Sequence, residues 1–511
     1  MKRLPWNLLQ KRSAKEPEIE TPFWFRSWSN GEKFYPQRKR NAKLRELTIQ
    51  RSIDNARKLG IDRRDFMTST MGMATALWTM KLAGCSETDS KPDAMMGDLE
   101  EAMLDEAVAC DLLCGDEFVF DVQTHHYEQG DWMDTNLPYS LFVGLFGDVD
   151  REAYIRRIFL ESDTTMAVLS GLPSSTCTEE VMSGCGLPIT NRQIADSRDF
   201  INSMSGPRLI NHAMVMPNTN LELQLQLMEE EHREWGVGGW KVYTPWGPNG
   251  VGFFLDDEDT GIPMIEKGLE LGVNVFSCHK GLPIPTFDDE HQKSQDIGVV
   301  AARYPDAHFV VYHSSISAGT TSSLLGGSTG SPDYGAYEPD AEEPLGVNML
   351  IRGMEDNGVG PNENVYGELG TAYRQALDEG GDVLAHFLGK LMKYVGEDNV
   401  LWGSDVMNGP GPQDLIDQFR TFEIPTQLQE DHGYPELTSE RRAKILGLNA
   451  ARVFGIDLEA QRCKIEEEEI CQNKQQMQDE FGPRRWVQPP SAPDNVAEYA
   501  QRLKQNKGMP G

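Results

Sequence analysis

Short apolar runs alternate along the chain with longer segments whose apolar residues recur at helical spacing, and the alternation persists from residue 118 to residue 455. The runs at 118–127, 165–171, 208–217, 239–244, 273–279, 307–313, 364–369 and 399–405 read as strands. Between and after them, 151–161, 193–204, 221–235, 262–271, 288–303, 382–395 and 439–454 read as helices, with Gly272 closing one of them as a C-cap. Strands and helices in strict alternation build a parallel sheet, and eight such units close into a (β/α)8 TIM barrel of the α/β class. In the first run, period-2 alternation puts Asp121, Gln123 and His125 on one face and Val122, Thr124 and His126 on the other.

Length and charge refine this picture. A chain of 511 residues with 39% hydrophobic content buries a substantial core in one large domain. Its formal charge of -32 is uneven: residues 1–85 carry +10, leaving -42 for the remainder. An acidic body argues against a nucleic-acid partner, because phosphate contacts need clustered Lys and Arg. The chain divides into a basic leader at 1–61 without sustained periodicity, expected to be disordered; a signal-like stretch at 62–85; a linker with helix at 86–117; the barrel at 118–457; and a charged tail at 458–511.

The stretch at 62–85 has a specific look. Arg63 and Arg64 precede an uncharged apolar run at 66–80, and Leu82-Ala83-Gly84-Cys85 follows. The run is too short to span a bilayer and has the length of a signal-peptide apolar region. The arginine pair resembles the twin-arginine (Tat) export signal, and the last four residues resemble a lipobox. That resemblance implies the Tat machinery as a partner, a membrane anchor through Cys85, and an exported, periplasmic or membrane-anchored protein. The alternative is an amphipathic helix with a chance arginine pair in a cytoplasmic protein. Of the eight cysteines, Cys110 and Cys114, Cys177 and Cys185, and Cys463 and Cys471 are close enough in sequence to pair in an oxidising compartment, although free thiols are equally allowed. Cys278 is then a buried thiol beside His279.

His125, His279, His313 and Asp405 fall at the C-terminal ends of the first, fifth, sixth and eighth strands, the barrel face where catalytic groups collect. A lone histidine is more often structural, so the set matters more than any member. Gly239-Trp-Lys-Val-Tyr243, Cys278-His-Lys-Gly281, Phe309-Val-Val-Tyr-His313, Val400-Leu-Trp-Gly-Ser-Asp405 and Lys444-Ile-Leu-Gly-Leu-Asn-Ala-Ala-Arg-Val-Phe-Gly455 together resemble the amidohydrolase 2 branch of the amidohydrolase superfamily, over about residues 118–457. Asp121-Val-Gln-Thr-His125 resembles that family's Asp-x-His-x-His opening, with Gln123 replacing the first histidine.

The resemblance implies one divalent metal, Zn or Mn, held by His125, His279 and Asp405, with Gln123 as a weaker neutral substitute ligand. Such an ion lowers the pKa of bound water from 15.7 towards ~7. Asp405 would accept that water's proton, and His313 would act as general acid/base or polarise the substrate carbonyl. Lys241 occupies the place of a carbamylated, metal-bridging lysine in binuclear relatives. Without an intact His-x-His pair it fits better as a partner for a substrate carboxylate or as half of an ion pair. Glu368, Trp246, Trp132 and the Ser- and Gly-rich stretch 314–345 would shape the pocket. The expected function is hydrolysis of an ester, lactone or amide bond in a small carboxylated molecule. Non-oxidative decarboxylation of an aromatic or unsaturated acid is the alternative reaction, and a catalytically degenerate binding or scaffold barrel the alternative class, which Gln123 favours. A homo-oligomer is compatible with all three.

Overall fold

Eight short buried runs form the strands of a single parallel sheet, in the order in which they occur along the chain. In the computed structural model, which describes residues 21–22, 25, 39–84, 94–113, 117–127, 150–173, 187–282, 287–317, 334–406, 411–465, 470 and 472–476, these are β1 Val119–Thr124, β2 Thr164–Leu169, β3 Leu209–Met214, β4 Gly239–Tyr243, β5 Val275–His279, β6 His308–Tyr312, β7 Val365–Glu368 and β8 Val400–Leu401. The ring closes because β8 returns to β1. Val122 N–H donates to Trp402 O at 3.0 Å, Asp405 N–H donates to Gln123 O at 2.9 Å, and Thr124 bridges Val406 in parallel. Residues from β1, β2, β5, β6, β7 and β8 meet in one apolar cluster that includes Phe120, Val122, Val168, Val275, Val310, Tyr312, Tyr366 and Leu401. Strands from opposite sides of a ring can share a cluster only inside it. Ala450, Ala451 and Val453 of the last barrel helix join the same cluster and plug its lower end.

Three local expectations change. The eighth run is regular strand only at Val400–Leu401; beyond it Trp402, Asp405 and Val406 still meet β1, and Asp405 takes a left-handed conformation, φ 54°. The helix expected over 288–303 begins at Gln295. Ahead of it the Asp288 carboxylate accepts Glu290 N–H at 2.9 Å and the His291 Nδ1–H at 2.7 Å, a local side-chain turn that competes with helix. Helices at Val347–Asp356, Ala372–Glu379, Gln413–Thr421 and Thr426–His432 add to those read from the sequence.

Ahead of the barrel, the stretch read as a flexible leader is helical at Lys39–Leu59 (α1). Arg63–Thr68 (α2), Thr70–Gly84 (α3), Ala94–Ala102 (α4) and Glu106–Leu113 (α5) follow. The order has a packing cause: Leu44 and Ala56 of α1 are buried in one cluster with Met73, Ala74 and Leu77 of α3 and with Leu99, Met103 and Leu113. Among the described residues no helix is long and apolar enough to cross a membrane. Cys110 and Cys278 are free thiols, the first exposed and the second buried. The suggested disulfide pairs and the Cys85 anchor lie outside the described residues, as does Trp132.

Candidate active site at the barrel mouth

Above the apolar cluster the barrel interior changes character. The pairing of β1 with β2 shifts register between Asp121 and Thr124. Phe120 and Val122 face inward, so unbroken alternation would turn Gln123 away. After the shift its amide lies 3.5 Å from His313 Nε2. Asp121 instead faces the end of β8: its carboxylate accepts Ser404 N–H at 2.9 Å, the Ser404 hydroxyl at 2.5 Å and Gln123 N–H at 3.2 Å. Burial pushes its pKa up to about 7.

His125 donates its Nδ1–H to Ser170 O at 2.8 Å, which leaves Nε2 a lone pair. That nitrogen is buried, makes no hydrogen bond and stands 3.3 Å from Asp405 Oδ1. A lone pair facing a carboxylate is unfavourable unless a proton or a cation lies between them. The other oxygen of Asp405 accepts the Thr371 hydroxyl at 2.5 Å, and Thr371 is itself left-handed, φ 49°. The carboxylate is therefore divided, one oxygen committed to Thr371 and the other turned to His125.

The second pair of imidazoles forms a chain. His313 donates Nδ1–H to Gly370 O at 2.8 Å, so its Nε2 accepts from His279 Nδ1–H at 3.1 Å. His279 Nε2 is then a bare, buried lone pair. Burial, reinforced by the neighbouring imidazole, holds His279 well below the ordinary histidine range. Burial also lowers His313, to about 4, against the attraction of Asp405. Both rings are neutral at pH 7, as this chain of donors requires.

The turn that carries His313 is held under strain. His313, Ser314 and Ser315 all have positive φ, 65°, 47° and 60°, a conformation that non-glycine residues avoid. Glu368 secures it: one carboxylate oxygen accepts His313 N–H at 2.9 Å and the other accepts Gly370 N–H at 2.6 Å. The Ser314 hydroxyl donates to Glu368 O at 2.7 Å. Burial and the Asp405 and Asp121 charges push Glu368 well above the usual carboxylate range. A Cβ on residue 403 would fall 1.7 Å from Glu368 Oε1, so the Gly403 position admits only glycine.

Lys241 is fully buried, with its ammonium 3.6 Å from the centre of the Tyr312 ring and 4.4 Å from that of Tyr243. Tyr243 in turn stacks on His279 at 4.9 Å. Trp246 is buried in the turn after β4, its backbone N–H donating to Tyr243 O and its backbone carbonyl accepting from the Asn218 amide. His126 points away from the mouth, 2.9 Å from Ser197 Oγ.

Whether these residues suit a metal is decided by the atoms left bare. Among the described residues no three His, Cys, Asp or Glu side chains are grouped as a ready-made metal cage. His125 Nε2, His279 Nε2 and Gln123 Oε1 are nevertheless buried without partners, and His125 faces a carboxylate. Imidazole nitrogen and carboxylate oxygen are the donors a divalent ion takes. The set fits an ion centred on His125 and Asp405, while His279 is engaged with His313. The supporting residues Thr371, Gly370 and Ser404 have no role in the sequence reading, which names Asp121 only as the start of the opening motif. Their signal was adjacency alone, in Glu368-Leu-Gly-Thr371 and Gly403-Ser-Asp405.

Residues 359–456 match the family model described as Amidohydrolase. None of the curated proteins matches the chain significantly. Among solved structures, 4-oxalomesaconate hydratase from Rhodopseudomonas palustris is 16% identical with a TM-score of 0.40, covering 68% of this chain and 98% of that one. IDCase from Metarhizium anisopliae is 14% identical with a TM-score of 0.38, covering 67% and 98%. An amidohydrolase from Mycobacterium avium subsp. paratuberculosis is 14% identical with a TM-score of 0.36, covering 68% and 100%.

Proposed function

We propose, for a chain whose residues 359–456 match the Amidohydrolase family model, hydrolysis of an ester, lactone or amide bond in a small carboxylated substrate. The observation that carries this reading is the buried His125–Asp405 contact at 3.3 Å, with the second carboxylate oxygen pinned by Thr371. That arrangement holds one basic oxygen in a fixed direction at the barrel mouth. Asp405 takes the proton of the attacking water there as its oxygen adds to the substrate carbonyl. Asp405 then returns that proton to the departing oxygen or nitrogen, while the neutral His313, fixed through Gly370 and accepting from His279, orients the second imidazole beside the reacting groups. Lys241, a buried cation, attracts the substrate's carboxylate inward. A divalent metal, when bound, would be held by His125 and Asp405 with Gln123 Oε1 nearby, and would supply Lewis-acid polarisation of the carbonyl and of water.

The test is a panel of carboxylated lactones, esters and amides, with acid release and carbon dioxide release followed in parallel. Acid release without carbon dioxide is expected; carbon dioxide in stoichiometric yield would replace hydrolysis by decarboxylation. Metal content on protein prepared without chelators, compared with Gln123→His, checks the ligand assignment. The variant should retain metal more tightly, and no gain removes residue 123 from the ion's surroundings.

A further inference from the structure

The apolar stretch that resembles an export signal has an unexpected position. Met71 to Leu77 of α3 are buried without interruption, and seven consecutive residues of a helix cover its whole circumference. An apolar helix is enclosed in this way when it is the centre of a folded unit. The enclosure is specific in its polar details. Thr48 of α1 and Thr79 of α3 bring their hydroxyls to 2.5 Å, and Asn55 donates to Thr75 at 3.5 Å. The Glu106 carboxylate accepts Thr70 N–H at 3.2 Å and Met71 N–H at 3.3 Å, which caps the positive end of α3. A Cβ on residue 72 would meet Phe66 O at 2.3 Å, so Gly72 lets α2 and α3 pass closely. Generic apolarity suffices for a transit segment; matched buried threonines, a carboxylate cap and a required glycine belong to a packed interface.

The unit is also tied to the barrel. Lys81 stands 3.6 Å from Glu423. Arg420, on the barrel helix Gln413–Thr421, donates to Leu113 O at 2.8 Å, satisfying the end of α5, and to Glu117 at 2.8 Å. Leu377 of another barrel helix packs against the same apolar cluster. Removing α3 would expose the inward faces of α1, α4 and α5 together with this barrel surface.

We infer that residues 39–84 and 94–113 form a helical cap retained in the working protein, with Thr70–Gly84 as its central helix rather than a segment discarded on maturation. The arginine pair stays exposed in this arrangement, so any recognition of it by an export receptor takes place with the apolar helix already enclosed. Hydrogen exchange on the full-length protein is the direct test. Amides of residues 71–79 should exchange as slowly as those of β5 and β6; exchange within seconds overturns the inference. Thr79→Asp, which places a charge opposite Thr48, should lower the midpoint of heat unfolding by about 5 °C or more, and an unchanged midpoint counts against it. If that variant does not fold, the exchange result on the unaltered protein still decides. Intact mass of the protein from an export-competent bacterial host should include residues 70–84, and a chain starting beyond Gly84 overturns retention.

Discussion

The inside of the barrel holds two layers built from the same strands under opposite rules. In the lower layer Phe120, Val168, Val275, Val310, Tyr366 and Leu401 fill the ring with apolar volume, and the backbone stays within ordinary strand conformations. Two to four residues further along, the same strand runs carry Gln123, His279, Glu368 and Asp405. There, positive φ values gather at His313, Ser314, Ser315, Thr371 and Asp405, and imidazole nitrogens are left bare. The lower layer contributes stability; the upper layer spends part of it on orientation. The difference shows how a barrel positions reactive groups: a rigid apolar floor tolerates a strained polar rim because the strain is confined to strand ends, where carboxylates can satisfy the displaced backbone N–H groups.

Substitutions in the two layers should therefore have separable consequences. The largest effect is expected from Asp405→Asn in the upper layer, which should reduce kcat/KM by about 10³-fold through loss of the base while leaving the denaturation midpoint nearly unchanged. Comparable losses of both would merge the layers. Next in size, Phe120→Ala in the floor should cost about 3–5 kcal/mol of stability by opening a cavity, measured by urea unfolding, with turnover per folded molecule preserved. Glu368→Gln falls between the layers in character. Its amide cannot accept from both His313 N–H and Gly370 N–H, so the left-handed turn should lose about 1–3 kcal/mol, and kcat should drop further than KM rises.

The smallest effect concerns pH. Asp121 keeps its proton in the folded protein up to about 7, above its ordinary value of 3.8. Between those values the unfolded chain gives up a proton that the folded one retains, so stability should fall as pH rises through this window and level off above it. Asp121→Asn should flatten that slope in denaturation curves taken at several pH values. A slope that persists undiminished assigns it to other groups.

Much of the barrel was readable before any coordinates. The strand runs differ from the sequence reading mainly at their ends, because apolar runs and helical periodicity are local properties of the chain. The C-terminal placement of His125, His279, His313 and Asp405 followed from the same pattern. Val347–Asp356 was legible too, with Val347, Leu350, Ile351 and Met354 at helical spacing, although it was not read as a helix. Less legible were Thr371 and Asp121, whose partners lie at Asp405 and Ser404, 34 and 283 residues away.

The sequence alone therefore determined the alternation of strand and helix, the number of barrel units and the residues near their C-terminal ends, since each depends on neighbours within a few positions. Tertiary structure alone decided that Asp121 turns to Ser404 while Gln123 faces His313, which imidazole nitrogen is left bare, and that an apolar run resembling a signal is enclosed by four other helices. A register shift, a tautomer and a burial state are set by atoms distant in sequence, and local pattern carries no record of them.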